Sequence, residues 1–281
     1  MRLLIFGLGY CGTAIAAAAR GAGFAVTAAT RRPAGPDDVA FDAAGPAIAV
    51  ATHVLSTVPP DGVSDPVLAR YADAIAAASR VRWVGYLSST VVYGDRNGGW
   101  VDEDTPPAPG QERGRRRLAA EGAWERQSAT RAVDIFRLGG IYGPRRSAFD
   151  DLRAGRARRI IKPGHAFGRI HRDDIVGAVL AATQQKAMSG RRSFNLSDDE
   201  PAESALVTEY AANLLGVPPP AAMPFAEAEA GMSAMGRSFW AENRKVASRK
   251  TQALLGYRWR YPTYREGLRA ILDQEIAEQA P

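Results

Sequence analysis

Three glycines near the start of the chain, Gly7, Gly9 and Gly12, constrain its fold more than any other feature. They follow the short apolar run Arg2-Leu-Leu-Ile-Phe6 and open an alanine-rich stretch that ends at Arg20. A pyrophosphate can rest on a helix N-terminus only where the backbone comes close to it, and side chains would block that approach. Gly7 permits the sharp turn out of a strand, Gly9 lets the main chain touch the phosphates, and Gly12 lets the helix pack against the strand. The required context is present: a strand over Arg2–Phe6, a helix over Tyr10–Arg20, a Gly21-Ala22-Gly23 stop and a second strand over Phe24–Thr30. The run reads as a dinucleotide site that also includes Tyr10 and Cys11. Thr57, Val58 and Pro59, which close a later strand, are expected beside it.

The end of the second strand decides which dinucleotide is read. An acid there would hydrogen-bond the ribose 2′-hydroxyl of NAD, but this chain has Thr30-Arg31-Arg32 and no acid before Asp37. Two guanidiniums stand where a 2′-phosphate would sit, a geometry that arginine meets with paired donors. NADP(H) is therefore expected over NAD(H); the alternative is that Arg31 and Arg32 are ordinary solvated charges. Cys11 also has two readings. A helix N-terminus can lower a thiol pKa and make it redox-sensitive, or Cys11 is a small residue packed beneath the pyrophosphate.

With 281 residues and 46% hydrophobic content, the chain has enough material for one core with an appendage. The net charge of +6 suggests nucleic acid at first sight. Nearly all the basic residues are arginine, however, and their one dense cluster, Arg113–Arg117, lacks interleaved aromatics, so no nucleic-acid partner is expected. The single cysteine excludes a disulfide framework and fits a reducing compartment. His53, His165 and His171 show no metal-ligand spacing, so no metal is expected. Glycines at three structured positions argue against a signal peptide, and no apolar run approaches the roughly 20 residues needed to cross a bilayer. The expectation is a soluble, cytoplasmic protein with no membrane partner.

Along the chain, short β-prone runs alternate with helical patterns, the signature of a parallel sheet wound with helices. Strands are expected at Val39–Phe41, His53–Thr57, Arg82–Ser88 and Ala132–Arg137, with helices at Asp65–Ser79 and Glu112–Ser128. The loop Gly94–Gly110 is rich in Gly, Asp and Pro. Helices at Ile175–Ala182, Ala202–Leu215 and after Thr263 complete the pattern, an aspartate at 173 or 174 capping the first of them. The fold class is α/β, a Rossmann-type doubly wound parallel sheet with a smaller α/β C-terminal substrate domain. The expected division is 1–146, with 172–198 returning to it, for the dinucleotide domain, and 147–171 plus 199–281 for the small domain.

Several stretches, in order, carry a resemblance: Leu87-Ser-Ser-Thr-Val-Val-Tyr-Gly94, Asp102-Glu-Asp-Thr-Pro106, Arg137-Leu-Gly-Gly-Ile-Tyr-Gly-Pro144, Ile170-His-Arg-Asp-Asp-Ile175 and Phe194-Asn-Leu-Ser-Asp-Asp-Glu200. With the glycine loop they resemble the extended short-chain dehydrogenase/reductase superfamily, the group of nucleotide-sugar epimerases and dehydratases. The segment Gly256–Gly267 looks like that of an atypical branch. Working members carry a Tyr-x-x-x-Lys pair, a phenol acid/base and a lysine that holds the cofactor ribose. Here the aligned stretch reads Arg113-Gly-Arg-Arg-Arg117-Leu-Ala-Ala-Glu121; no tyrosine lies between Tyr93 and Tyr142, and no lysine precedes Lys162.

Arginine keeps its proton at neutral pH, so Arg113 cannot replace the phenol as a proton donor. Four-residue spacing puts Arg113 and Arg117 on one helix face. Arg117 is the candidate for the nicotinamide ribose, and Arg113 for a carboxylate or phosphate of the substrate. The resemblance implies that Ser89 hydrogen-bonds substrate, with Ser88 buried behind it; otherwise Ser89 merely caps its strand. Tyr93 and Tyr142 are candidate substitute phenols or packing groups. Asp102 and Glu103 would serve as bases if burial raised their pKa. His171 borders the substrate space in such a fold. The resemblance also implies dimerisation through Asp65–Ser79 and Glu112–Ser128, which the arginines of the second helix would have to permit.

Two function classes follow. One is an NADP(H)-dependent epimerase, dehydratase or reductase acting on a small sugar-like or anionic substrate with a rearranged acid/base. The other is a catalytically silent NADP(H)-binding sensor or regulator.

Overall fold

A computed structural model describes residues 1–62, 64–186 and 189–279. Seven strands form one parallel sheet: β1 (Arg2–Phe6), β2 (Ala25–Thr30), β3 (Asp38–Ala40), β4 (His53–Ser56), β5 (Trp83–Ser89), β6 (Ala132–Leu138) and β7 (Gly190–Leu196). Their spatial order is β7-β6-β5-β4-β1-β2-β3, so the winding reverses between β1 and β4. Ligands of open α/β sheets bind at the carboxyl edge of such a switch point. This is a Rossmann-like α/β fold.

Residues alternate between the faces of each strand. Leu3 and Ile5 of β1 enter one core with Ile15, Ala16 and Ala19 of α1 (Tyr10–Gly21) and with Ile175, Ala178, Val179 and Ala182 further along the chain. Leu4 and Phe6 enter the opposite core beneath α2 (Gly45–Val50), α3 (Pro66–Ala77) and α4 (Glu112–Glu125). The Asp65 carboxylate fixes the start of α3 by accepting from the Val67 and Leu68 amides at 3.0 Å, and its other oxygen accepts from the Trp124 indole at 2.8 Å.

Past β6, a further core gathers Tyr142, Phe149, Val207, Tyr264 and Leu268 between α5 (Ala148–Arg153), α7 (Ser204–Leu214) and α11 (Tyr264–Gln279). Short parallel ribbons, residues 140–142 with 169–171 and 159–161 with 222–224, tie this layer together.

Two expected helix starts differ from the structure. α6 (Arg172–Gln184) is capped by the His171 ring, which accepts from the Asp173 amide, rather than by an aspartate. The Asp174 carboxylate instead accepts from the Tyr257 hydroxyl and the Arg260 and Tyr261 amides at 2.6–3.0 Å. α7 begins at Ser204 and not at Ala202, because Ala202 is held extended by reciprocal backbone bonds to Phe167. The chain continues through α8 (Phe225–Ala230), α9 (Ala234–Trp240) and α10 (Arg249–Leu255). Among the described residues no helix is long and apolar enough to cross a membrane.

Candidate active site

Sterics set the glycine loop at the switch point. Gly7 has φ +93°, and a Cβ there would come within 2.7 Å of the Thr57 hydroxyl oxygen. A Cβ on Gly12 would lie 2.1 Å from the Gly7 carbonyl oxygen. Thr57 closes the turn from the neighbouring strand, its hydroxyl lying 3.2 Å from the Phe6 carbonyl and 3.0 Å from that of Gly7. Val58 packs under the same turn. Gly9, by contrast, has nothing within 4 Å of a Cβ position and precedes α1 without a side-chain cap. The first amides of a helix have no intrahelical acceptor, so this open face can receive an anion.

Tyr10 lines the surface cavity beside Gly9. Its hydroxyl donates to the Pro144 carbonyl at 3.0 Å, and the Arg146 and Arg172 guanidiniums lie over its ring. Cys11 is buried in the core under α1, and burial pushes its thiol up to about 11. The packed reading of Cys11 therefore describes the side chain, and the reactive-thiolate reading does not. Arg31 and Arg32 follow β2 at the sheet's carboxyl edge, exposed and without an ion pair among the described residues. Pro59 is exposed beyond Val58.

At the same edge, a cavity of about 440 Å³ opens between the end of β5, the Gly139–Tyr142 loop, residues 166–169 and the end of α9. Ser89 borders it while its oxygen caps the turn at Thr90–Tyr93 by accepting from the Val91 amide at 3.3 Å. Arg113 lines it too. Its guanidinium stacks 4.2 Å from the centre of the Phe239 ring, its buried Nε has no partner, and burial lowers its pKa. Arg244 lies across from it, paired with Glu242 at 2.9 Å. Tyr142 lines the cavity, and burial raises its phenol far above the usual range.

The other candidates lie elsewhere. Arg117 shares the helix with Arg113 but bends to β5, donating to the Tyr86 hydroxyl at 2.9 Å and the Leu87 carbonyl at 3.0 Å. Tyr93 is fully buried; its hydroxyl donates to Asn195 at 2.7 Å and accepts from Arg137 at 3.0 Å, so this phenol is withdrawn from the cavity. Asp102 is exposed, and hydrogen bonds from the Thr105 side chain and nearby amides lower its pKa, the opposite of what a base requires. Glu103 accepts from Thr251 and the Asn195 amide and so joins loop to sheet. His171 is buried against Tyr142 and Tyr261, and burial lowers its pKa to about 4, leaving it neutral at pH 7.

A buried ionic cluster under Ser89 escaped the sequence reading. Glu121 of α4, 0% exposed, accepts from Ser88 at 2.6 Å, from Arg137 at 2.7–3.3 Å and from Arg191 at 3.2 Å. Its one sequence signal was a charged pair, Asp134 and Arg137, inside an otherwise apolar strand. Asp134 accepts in turn from the Trp83 indole at 2.6 Å and from Arg192.

A seven-stranded parallel sheet with a glycine loop at its switch point, and the serine-bearing strand beside it, defines a short-chain dehydrogenase/reductase fold. The chain is 40% identical to a functionally unknown conserved protein from Silicibacter pomeroyi DSS, whose structure it matches over 99% of both chains with a TM-score of 0.89. It shares its fold with that protein and, at much lower sequence identity, with structures of epimerase and short-chain dehydrogenase/reductase proteins. At 21% identity, and so for the fold alone, it resembles MoeE5 in complex with UDP-glucuronic acid and NAD (TM-score 0.81, 99% and 100% of the two chains). The human epimerase family protein SDR39U1 with NADPH is similar in the same sense (21% identity, TM-score 0.76, 100% of both).

Curated relatives match part of the chain. The 3-diazoavenalumate denitrifying reductase of a Streptomyces species is 30% identical over 142 residues, 48% of this chain and 45% of that protein. Protein YeeZ of Escherichia coli K12 is 34% identical over 149 residues, 52% and 50% of the two. The chain thus spans about half the length of the curated relatives it matches. No model of a known protein family matches it.

Proposed function

We propose that this protein is an NADP(H)-dependent enzyme of the epimerase, dehydratase or reductase kind, acting on a small anionic or sugar-like substrate held against Ser89 and Arg113. One observation carries the reading: a half-buried guanidinium with no salt bridge among the described residues, its Nε unpartnered, lines a cavity at the same sheet edge as an open glycine loop. Residues 1–146 with 172–198 are assigned to the cofactor, and 147–171 with 199–281 to the substrate. The Gly9 face and the α1 amides would take the pyrophosphate, while Arg31 and Arg32 would take a 2′-phosphate. When bound, the nicotinamide supplies or accepts a hydride.

The chain's own groups then have distinct tasks. Ser89 accepts from Val91 and still has its hydroxyl proton to donate to substrate. Arg113, always charged, binds and orients an anionic group and exchanges no proton. Tyr142 gives the cavity a ring edge, while its hydroxyl is turned to the Thr263 carbonyl and burial keeps it protonated. The acid anion in the name of the Streptomyces relative, a 3-diazoavenalumate denitrifying reductase, supports an anionic substrate.

The second reading, a silent NADP(H) sensor, is favoured by the absence of the Tyr-x-x-x-Lys pair and by the use of Arg117 to fasten α4 to β5. Dimerisation through α3 and α4 and a cytoplasmic setting complete the proposal. Calorimetric titration with NADPH and NADH tests the cofactor. NADPH is expected to bind at least about tenfold more tightly, a difference of about 1.4 kcal/mol. Failure of both to bind would overturn the reading. Hydride exchange with any substrate, lost in Ser89→Ala and Arg113→Gln, separates the enzyme from the sensor.

A further inference from the structure

The wall facing Ser89 is aromatic. Trp240 stands edge-on to Phe167 at 4.9 Å, with His165 and Phe225 packed against it at 5.4 and 5.2 Å. Phe239, the next residue, is 52% exposed and carries the stacked Arg113 guanidinium. Together with Met235, 60% exposed on the same helix, it leaves apolar surface open beside the cavity. The charge of this cavity is unbalanced: Arg113, Arg169 and Arg244 line it against Glu242 alone. Glu242 is already paired with Arg244, and Arg169 donates to the Phe167 and Ala202 carbonyls. Among the described residues Arg113 makes no salt bridge: besides the Phe239 ring it has a weak contact to the Met235 sulfur at 3.9 Å, and the Glu242 charge acts on it through the cavity.

We infer that this cavity takes a planar aromatic carboxylate, its ring against Phe239 and Trp240 and its carboxylate on Arg113. The inference rests on the reading of the cavity as the substrate site and narrows the substrate to one chemical class. A carboxylate conjugated to a ring is coplanar with it, so one flat ligand can meet a guanidinium edge and an aromatic wall together.

The test is calorimetric titration of the full chain with 2-naphthoate, 2-naphthamide, cyclohexanecarboxylate and UDP-glucose, with and without NADPH. 2-Naphthoate is expected to bind at least tenfold more tightly than the uncharged amide and the non-aromatic acid, and Arg113→Gln to remove that preference. Equal binding of naphthoate and naphthamide, or tighter binding of UDP-glucose, would overturn the inference. Because the ligand series is run on the unaltered protein, the comparison stands even if the variant fails to fold. NADPH binding without naphthoate binding would refute the aromatic ligand and leave the proposed function standing. Naphthoate binding with no NADPH binding would do the reverse.

Discussion

Replacing Glu121 with alanine tests the energetic role of the buried ionic cluster. The carboxylate is 0% exposed and accepts from Ser88, Arg137 and Arg191; Arg137, its main partner, is 2% exposed. Removing it strands a guanidinium inside the protein with only the Tyr93 hydroxyl left at 3.0 Å. Breaking a buried pair from one side costs about 3–5 kcal/mol, far more than the net worth of the pair, because the remaining charge has no water to return to. For a chain of this size that corresponds to a fall in Tm of about 5–9 °C. Urea denaturation followed by tryptophan fluorescence reads it directly, since Trp124 on the same helix stacks on Tyr86. The double variant Glu121→Leu with Arg137→Met removes both charges and should recover at least half of the loss. A single-variant cost below about 1 kcal/mol would refute the reasoning, as would a double variant no better than the sum of its parts.

Gly12→Ala drives a methyl group into the Gly7 carbonyl at 2.1 Å, so it should lower NADPH affinity at least about tenfold and cost about 1–3 kcal/mol of stability, read by titration and melting. Asp198 is buried beside Arg169, and burial outweighs that positive neighbour and pushes its pKa up to about 8. The unfolded residue releases its proton near pH 4, so the folded state binds the proton more tightly; stability is fullest below about pH 4 and declines as pH rises through about 8. Asp198→Asn should flatten that decline and melt higher at pH 8. Cys11, held protonated by burial, should react with iodoacetamide at pH 8 at least about tenfold more slowly in the folded protein than in denaturant, and equal rates would contradict its placement.

The elements fixed by local chemistry were legible in the sequence. The glycine loop is one, because positive φ and close backbone approach admit few residues; the β-branched and apolar strands are another. What was not legible depends on partners far along the chain. The cap of α6 looked like an aspartate because aspartates cap helices, yet Asp174 is drawn off by Tyr257, Arg260 and Tyr261, more than 80 residues away. Helical spacing correctly placed Arg113 and Arg117 on one side of α4. It could not show that Arg117 would find acceptors on β5 while Arg113 would meet a ring at position 239. Glu121 and Arg137 gave no local hint of each other, since the sheet brings a helix residue over a strand residue only when packing is complete.

The bond from Tyr10 to Pro144 couples two positions that the chain otherwise keeps far apart. A Cβ on Gly143 would lie 2.5 Å from the Tyr10 hydroxyl oxygen. Residues 10 and 143 are therefore one steric unit: the larger the group at one, the smaller the group the other must carry. Alanine at 143 would have to push the Tyr10 hydroxyl aside, and with it the bond to Pro144 that ties the glycine-loop helix to the far side of the sheet edge.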